Sequence, residues 1–235
     1  NIKGTKDLLP NATLNIQDIE RHLDIFMNIH GYGEIRTPIF ESTELFLRSV
    51  GEYTDIVNKE MYTWIDRNDQ SLTLRPEMTA SVVRAYIQKQ IWKIEPISKF
   101  YYIGPSFRRE RPQKGRLRQF HQIGIELLGT DSQQADIEVI ACANKLLKEL
   151  NIDKSSTLHI NSLGNITERK KYIDELIKYL NDFKNKLSID SKKRFKQNPI
   201  RILDSKSEED IEIIKNAPKL INYLDKESKN SFKKV

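Results

Sequence analysis

Phe107-Arg108-Arg109-Glu110-Arg111-Pro112-Gln113-Lys114-Gly115-Arg116-Leu117-Arg118-Gln119-Phe120-His121-Gln122-Ile123-Gly124-Ile125-Glu126 is the stretch on which the fold turns. Two extended runs flank a tip holding Pro112 and Gly115, the pattern of an antiparallel hairpin with a long loop. Strand side chains alternate between faces. On the second run Phe120, Gln122, Gly124 and Glu126 therefore share one face. Ile123, Ile125 and Leu127 share the other, with His121 beside them, and that aliphatic set reads as the core side. The first set combines a ring, an amide, a carboxylate and a residue without a side chain, which suits a ligand floor: a stacking surface, polar groups that fix orientation, and room. On the first run Arg108 and Glu110 share a face and join that floor. An arginine there can clamp a phosphate through two parallel hydrogen bonds. The tip adds Arg111, Gln113, Lys114, Arg116 and Arg118, a cationic flap suited to polyphosphate or a nucleic acid backbone. A solvated strand pair of mixed charge shares much of this pattern, but it does not account for Gly124 inside an otherwise strong strand.

Helical periodicity marks residues 13–30, 79–90 and 131–150, the last with Asp131 or Ser132 as its cap. Residues 34–40, 61–65, 71–74, 100–103 and 158–161 read as extended, with a turn at Asp66-Arg67-Asn68-Asp69 between the second and third. Beyond Asn165 strands give way to Lys-rich helical patterns at 167–187, 207–216 and 218–225. The division is therefore expected near Asn165, with a mixed core over 1–164 and a helical, basic unit over 165–235. Charge divides at the same place. Residues 1–164 carry 21 basic and 21 acidic side chains and residues 165–235 carry 18 and 12, so the whole net charge of +6 lies in the last third. A basic segment on a neutral body suits a polyanionic partner, but charge alone favours a solvated Lys-rich surface.

Hydrophobic residues make up 38% of the chain and charged residues 31%, enough apolar mass for a core. No apolar run is long enough for a bilayer. The single cysteine, Cys142, lies in a helical pattern, excludes an internal disulfide, and reads as a small buried hydrophobe in a reducing cytoplasm. His22, His30, His121 and His159 show no metal-ligand spacing and read as structural, so no metal site is expected from protein side chains.

The Arg108–Glu126 run resembles motif 2 of class II aminoacyl-tRNA synthetases, in the form typical of the histidine enzymes. Other segments agree. Gly4-Thr5-Lys6-Asp7-Leu8-Leu9-Pro10 is similar to that family's opening, and Gly31-Tyr32-Gly33-Glu34-Ile35-Arg36-Thr37-Pro38 to its motif 1, which builds the dimer interface. Leu74-Arg75-Pro76-Glu77-Met78-Thr79 resembles its histidine-binding turn. Asn198-Pro199-Ile200-Arg201-Ile202-Leu203-Asp204-Ser205-Lys206 resembles the helical insertion of the bacterial enzymes.

The resemblance implies an α+β fold, a class II antiparallel sheet flanked by helices, with a small helical insertion domain. It implies a ligase that uses ATP and Mg²⁺ to activate histidine and charge the 3′ end of tRNA(His), as a cytoplasmic homodimer joined through motif 1. Arg108 would hold the α-phosphate as the catalytic residue. Glu110, Arg116 and Phe120 would complete the ATP site. Glu77, Thr79, Gln122 and Glu126 would bind the amino end of histidine, and Arg111 and Gln113 would approach the tRNA acceptor. Glu77 would serve equally as a cap for the helix after it, and Arg75 is expected in a structural ion pair. No segment resembles the family's later catalytic-arginine run or motif 3, and no anticodon-binding domain is read. The sequence is thus expected to be a trimmed fragment with weak ATP binding and no aminoacylation of its own. The alternative implied by the same resemblance is a non-catalytic, synthetase-like regulatory subunit of ATP phosphoribosyltransferase, which needs the fold without an intact nucleotide flap.

Overall fold

A computed structural model of the chain describes residues 1–50, 54 and 56–235. They form two compact units, Asn1–Asn151 and Ile152–Val235. The division falls ahead of Asn165, because residues 160–164 pack with the helices that follow. Gly164, for example, lies against Glu168 and Leu224.

In the first unit, helix α1 (Pro10–Ile29) opens with a proline at its first turn, where the missing N–H costs nothing, and ends before Gly31, whose φ of 77° an L side chain would resist. Strands β1 (Gly33–Glu34) and β2 (Phe40–Ser42) lead to α2 (Thr43–Val50). Strands β3 (Tyr62–Ile65) and β4 (Ser71–Leu74) follow, and their turn is built on Asp66, whose Oδ1 accepts from the amides of Asn68 and Gln70 at 2.8 and 2.9 Å. Helix α3 (Thr79–Gln88), the long strands β5 (Ser98–Phe107) and β6 (Gln119–Leu128), and helix α4 (Gln133–Glu149) complete the unit, α4 capped by Ser132.

Two sheets result. β2, β4 and β3 pair antiparallel in that order, and β1 runs parallel to β5, which pairs antiparallel with β6 over its full length. One face of the β5–β6 ribbon carries Tyr101, Ile103, Ile123 and Ile125, which pack with Phe26, Met27 and Tyr32 and with Cys142 and Leu146 of α4. Cys142 is thus a buried core residue, and burial pushes its thiol pKa up. The opposite face places Phe100 and Tyr102 against Met78 and Val82 at the start of α3. His121 lies on the aliphatic side of the ladder but is exposed, because that core begins only at Ile123.

The second unit is helical: α5 (Ile166–Asp182), α6 (Ile189–Gln197), α7 (Glu208–Lys215) and α8 (Lys226–Lys234). Its core is Tyr172, Leu176, Leu180, Leu187, Ile202, Ile213 and Ala217, the first three one helical turn apart. Asn165 and Glu168 close a capping box on α5, and Glu168 Oε2 also accepts from Ser228 Oγ at 2.9 Å. Asp210 is fully buried and collects the hydroxyls of Ser188, Ser191 and Ser205 at 2.7, 2.6 and 2.5 Å and the Ser188 amide at 2.9 Å. Burial opposes its charge, but these donors outweigh burial and hold the carboxyl at about 2.

Several expectations fail here. Residues 158–161 are not a strand: among the described residues no strand pairs with them, and Leu158 and Ile160 are exposed. Residues 218–225 hold only a short turn, Leu220–Asn222, because Asp225 is the cap of α8 rather than the end of a helix. Helix α6, unforeseen, has a nearly all-polar sequence and so carries little apolar periodicity.

Candidate active site

The ladder pairs Ser106 with Phe120, Gly104 with Gln122, Tyr102 with Gly124 and Phe100 with Glu126. These positions share the face opposite the aliphatic core. The six steps from Phe120 to Glu126 span roughly 20 Å at about 3.4 Å each, long enough for two ligand moieties end to end.

At the loop end stands Arg108. Strand β5 ends at Phe107, so Arg108 and Glu110 lie beyond it and not within a strand, although the Arg108 amide still bonds the Arg118 carbonyl at 2.9 Å. The Arg108 guanidinium lies 5.2 Å from the Phe120 ring centre, and its Nε donates to the Pro76 carbonyl at 2.9 Å. Glu110 faces it at 3.9 Å and accepts from Arg116 Nη1 at 3.2 Å. Arg108, Glu110, Arg116 and Phe120 thus form one cluster, with a guanidinium over a ring. The tip closes in a tight turn from Gln113 to Arg116 around Gly115, whose φ is 80°. Arg111 and Gln113 are exposed on it.

At the far end, Glu126 Oε1 accepts from the Tyr102 hydroxyl at 3.2 Å, and that hydroxyl lies 3.4 Å from Thr79 Oγ1. Burial raises the Glu126 carboxyl above its ordinary value. Bonds from Thr79 and Tyr102 pull it down, and the Glu77 charge adds to the rise. Burial likewise pushes Tyr102 up to about 12. Glu77 Oε1 accepts from the Ala80 amide at 3.0 Å, so Glu77 caps α3 and keeps its second oxygen. Between the two ends, Gln122 Oε1 accepts from Ser106 Oγ at 3.4 Å. The face therefore brings together Glu77, Thr79 and Glu126, with Gln122 in register beside them.

Arg75 departs from expectation. It is 3% exposed and donates to the carbonyls of Pro105, Thr37 and Pro38 at 2.8, 2.8 and 3.2 Å rather than to a carboxylate. Burial lowers its pKa, with the Glu41 charge opposing. It ties the strand before the site to the turn before α3. Sequence reasoning also missed Tyr102 and Ser106. Their alternation with Gly104 along β5 held the signal, once the register against β6 is known.

A strand pair with a cationic end and a carboxylate end on one face, backed by helices, has the fold of a class II aminoacyl-tRNA synthetase. The family model described as histidyl-tRNA synthetase matches residues 4–193. The chain belongs to the histidyl-tRNA synthetase family. A relative named "Histidine--tRNA ligase, chloroplastic" from Gracilaria tenuistipitata var. liui is 50% identical over 231 residues, 98% of this chain and 54% of the relative. The apo histidyl-tRNA synthetase of S. aureus superposes with a TM-score of 0.73 at 34% identity, over 100% of this chain and 53% of that one. A Bacillus halodurans C protein described as an ATP phosphoribosyltransferase regulatory subunit/histidyl-tRNA synthetase shares the fold, with a TM-score of 0.57 at 22% identity, over 99% of this chain and 66% of that one. The chain spans about half the length of the curated relatives it matches. Among the described residues, no helix is long and apolar enough to cross a membrane.

Proposed function

We propose that the chain carries the ATP- and histidine-binding face of a cytoplasmic histidine–tRNA ligase. One observation supports this above the rest: a single face of the β5–β6 ribbon holds a ring-backed guanidinium at one end and a carboxylate group at the other. In the first step a carboxylate oxygen of histidine attacks the α-phosphorus of ATP, the bond to the bridging oxygen breaks, and pyrophosphate leaves. In the second, the 3′-hydroxyl of the terminal adenosine of tRNA(His) attacks the acyl carbon, AMP leaves, and the hydroxyl proton is released.

Such phosphoryl chemistry depends on positioning and on cations facing the developing charge more than on acid or base groups. Arg108 is the catalytic residue, set against the α-phosphate. Phe120 stacks on adenine, Glu110 orients that end, and Arg116 meets the outer phosphates. Glu77, Thr79, Gln122 and Glu126 accept from the ammonium of histidine, whose charge favours the two carboxylates. Arg111 and Gln113 reach the tRNA acceptor. Among the described residues no group of three or more His, Cys, Asp or Glu side chains is arranged to hold a metal ion. Mg²⁺, if used, would come with the ATP phosphates and would supply positive charge beside that of Arg108 and Arg116.

The helical unit serves as the insertion domain, and the segment 31–38 as part of a homodimer interface. The regulatory-subunit reading requires the fold alone and leaves the Arg108–Glu110–Phe120 cluster without a task. Histidine-dependent exchange of labelled pyrophosphate into ATP by the full-length protein tests the assignment. Exchange that ignores all amino acids would reject it.

A further inference from the structure

Tyr102 has no role in the assignment above, yet its hydroxyl lies between two of the groups that meet the amino acid. It faces Gly124 across the ladder, and the ring crosses over that glycine: a Cβ at position 124 would stand 2.2 Å from the phenolic oxygen. The absent side chain thus makes room for Tyr102 rather than for a ligand. The ring is 3% exposed, so few alternative positions are open to it.

The hydroxyl then has a fixed direction. A phenol has one proton, and an ionised carboxylate can only accept. At 3.2 Å from Glu126 Oε1 the proton belongs to that contact. The Tyr102 oxygen, 3.4 Å from Thr79 Oγ1, is then left as an acceptor, and the threonine's proton is drawn inward by it and by the Glu126 carboxylate. Thr79 is left presenting lone pairs alone, Glu126 presents Oε2, and Glu77, with Oε1 engaged by the Ala80 amide, presents its other oxygen. Every outward oxygen of Glu77, Thr79 and Glu126 is thus an acceptor. A protonated primary amine, with three donors and a charge, satisfies it. A hydroxyl, with one donor, leaves buried acceptors unmet at a cost in affinity.

We propose that Tyr102 is a positioning residue that sets the polarity of the amino-acid end and so makes the site selective for a primary ammonium over a hydroxyl at the same carbon. This rests on the ligase reading only for the identity of the ligand. Removing the hydroxyl takes from Glu126 its phenol donor and from Thr79 one of the two acceptors that draw its proton inward.

The test uses Tyr102→Phe and Gly124→Ala in the full-length protein, the second displacing the ring by crowding it. The first readout is the titration of Glu126 by carbon-13 NMR without ligand, its signal assigned through Glu126→Gln. Loss of a donor should raise its pKa in both variants. The second is the KM for histidine and the inhibition constant of the α-hydroxy analogue of histidine. We expect the preference for histidine over the analogue to fall about tenfold, on the scale of one hydrogen bond to a charged group, while the KM for ATP stays within twofold. An unmoved Glu126 titration overturns the proposal, as does a KM for ATP that rises in step with that for histidine. A wild-type protein indifferent to histidine defeats the ligase reading instead, and the Glu126 titration then still decides the polarity.

Discussion

Replacing Arg108 by lysine keeps a positive charge and removes what holds it in place. The arginine bonds the Pro76 carbonyl through Nε at 2.9 Å and lies 5.2 Å from the Phe120 ring centre, and its terminal nitrogens, one of them in a long 3.9 Å ion pair with Glu110, make no shorter contact that would compete with a ligand. Lysine has one nitrogen and cannot hold the carbonyl while clamping two phosphate oxygens. The variant loses one charge-assisted hydrogen bond, about 1.5–3 kcal/mol, and a cation–ring contact of about 0.5–1 kcal/mol. Together these predict a fall in kcat/KM for ATP of roughly 30- to 1,000-fold. Histidine-dependent ATP–pyrophosphate exchange measures it, with the melting temperature as a control. A variant within threefold of wild type, or one whose loss follows a collapsed melting temperature, would refute the placement of Arg108 on the reacting phosphate.

Three further outcomes follow from the structure. Glu126→Gln removes one of two carboxylates facing the ammonium and should raise the KM for histidine by about ten- to a hundredfold, with the KM for ATP nearly unchanged, as steady-state kinetics would show. Asp210→Asn should destabilise the helical unit by about 2 kcal/mol at neutral pH, since the carboxyl is held at about 2 against an ordinary 3.8. A depressed folded-state pKa gives stability that is complete above pH 4 and lost as pH falls toward 2, so hydrogen exchange in α6 and α7 should differ between the proteins at pH 7 and converge across that window. Arg75→Met leaves the carbonyls of Thr37, Pro38 and Pro105 without their donor. About 3 kcal/mol and a melting temperature lower by roughly 6–12 °C are expected, read by calorimetry.

Much of the site was legible because a strand's period is two. Alternation alone separated Ile123 and Ile125, which lie in the core, from Phe120, Gln122 and Glu126, which do not. What stayed hidden depended on partners distant in sequence. The extended reading stopped at Ile103, yet the strand runs on to Phe107 through Gly104, where Arg75 lies 2.6 Å from where a Cβ would be. Gly124 was visible as an anomaly, but its cause, the Tyr102 ring, could be seen only once the register was set. The faces of Arg108 and Glu110 were read from a strand that ends one residue before Arg108, and the ring and carbonyl that hold Arg108 come from β6 and the turn before α3. In the helical unit the buried Asp210 cage joins residues across 22 positions with no apolar periodicity to announce it.

The central claim is that a nucleotide and an amino acid lie end to end along the Phe120–Glu126 face. A crystal structure of the full-length protein with a non-hydrolysable histidyl-adenylate analogue addresses it directly. Adenine stacked on Phe120, the phosphate mimic on Arg108 and the ammonium on Glu126 and Thr79 is the predicted result. An analogue bound anywhere other than this face, or reversed along it with its amine at the loop, would contradict the account.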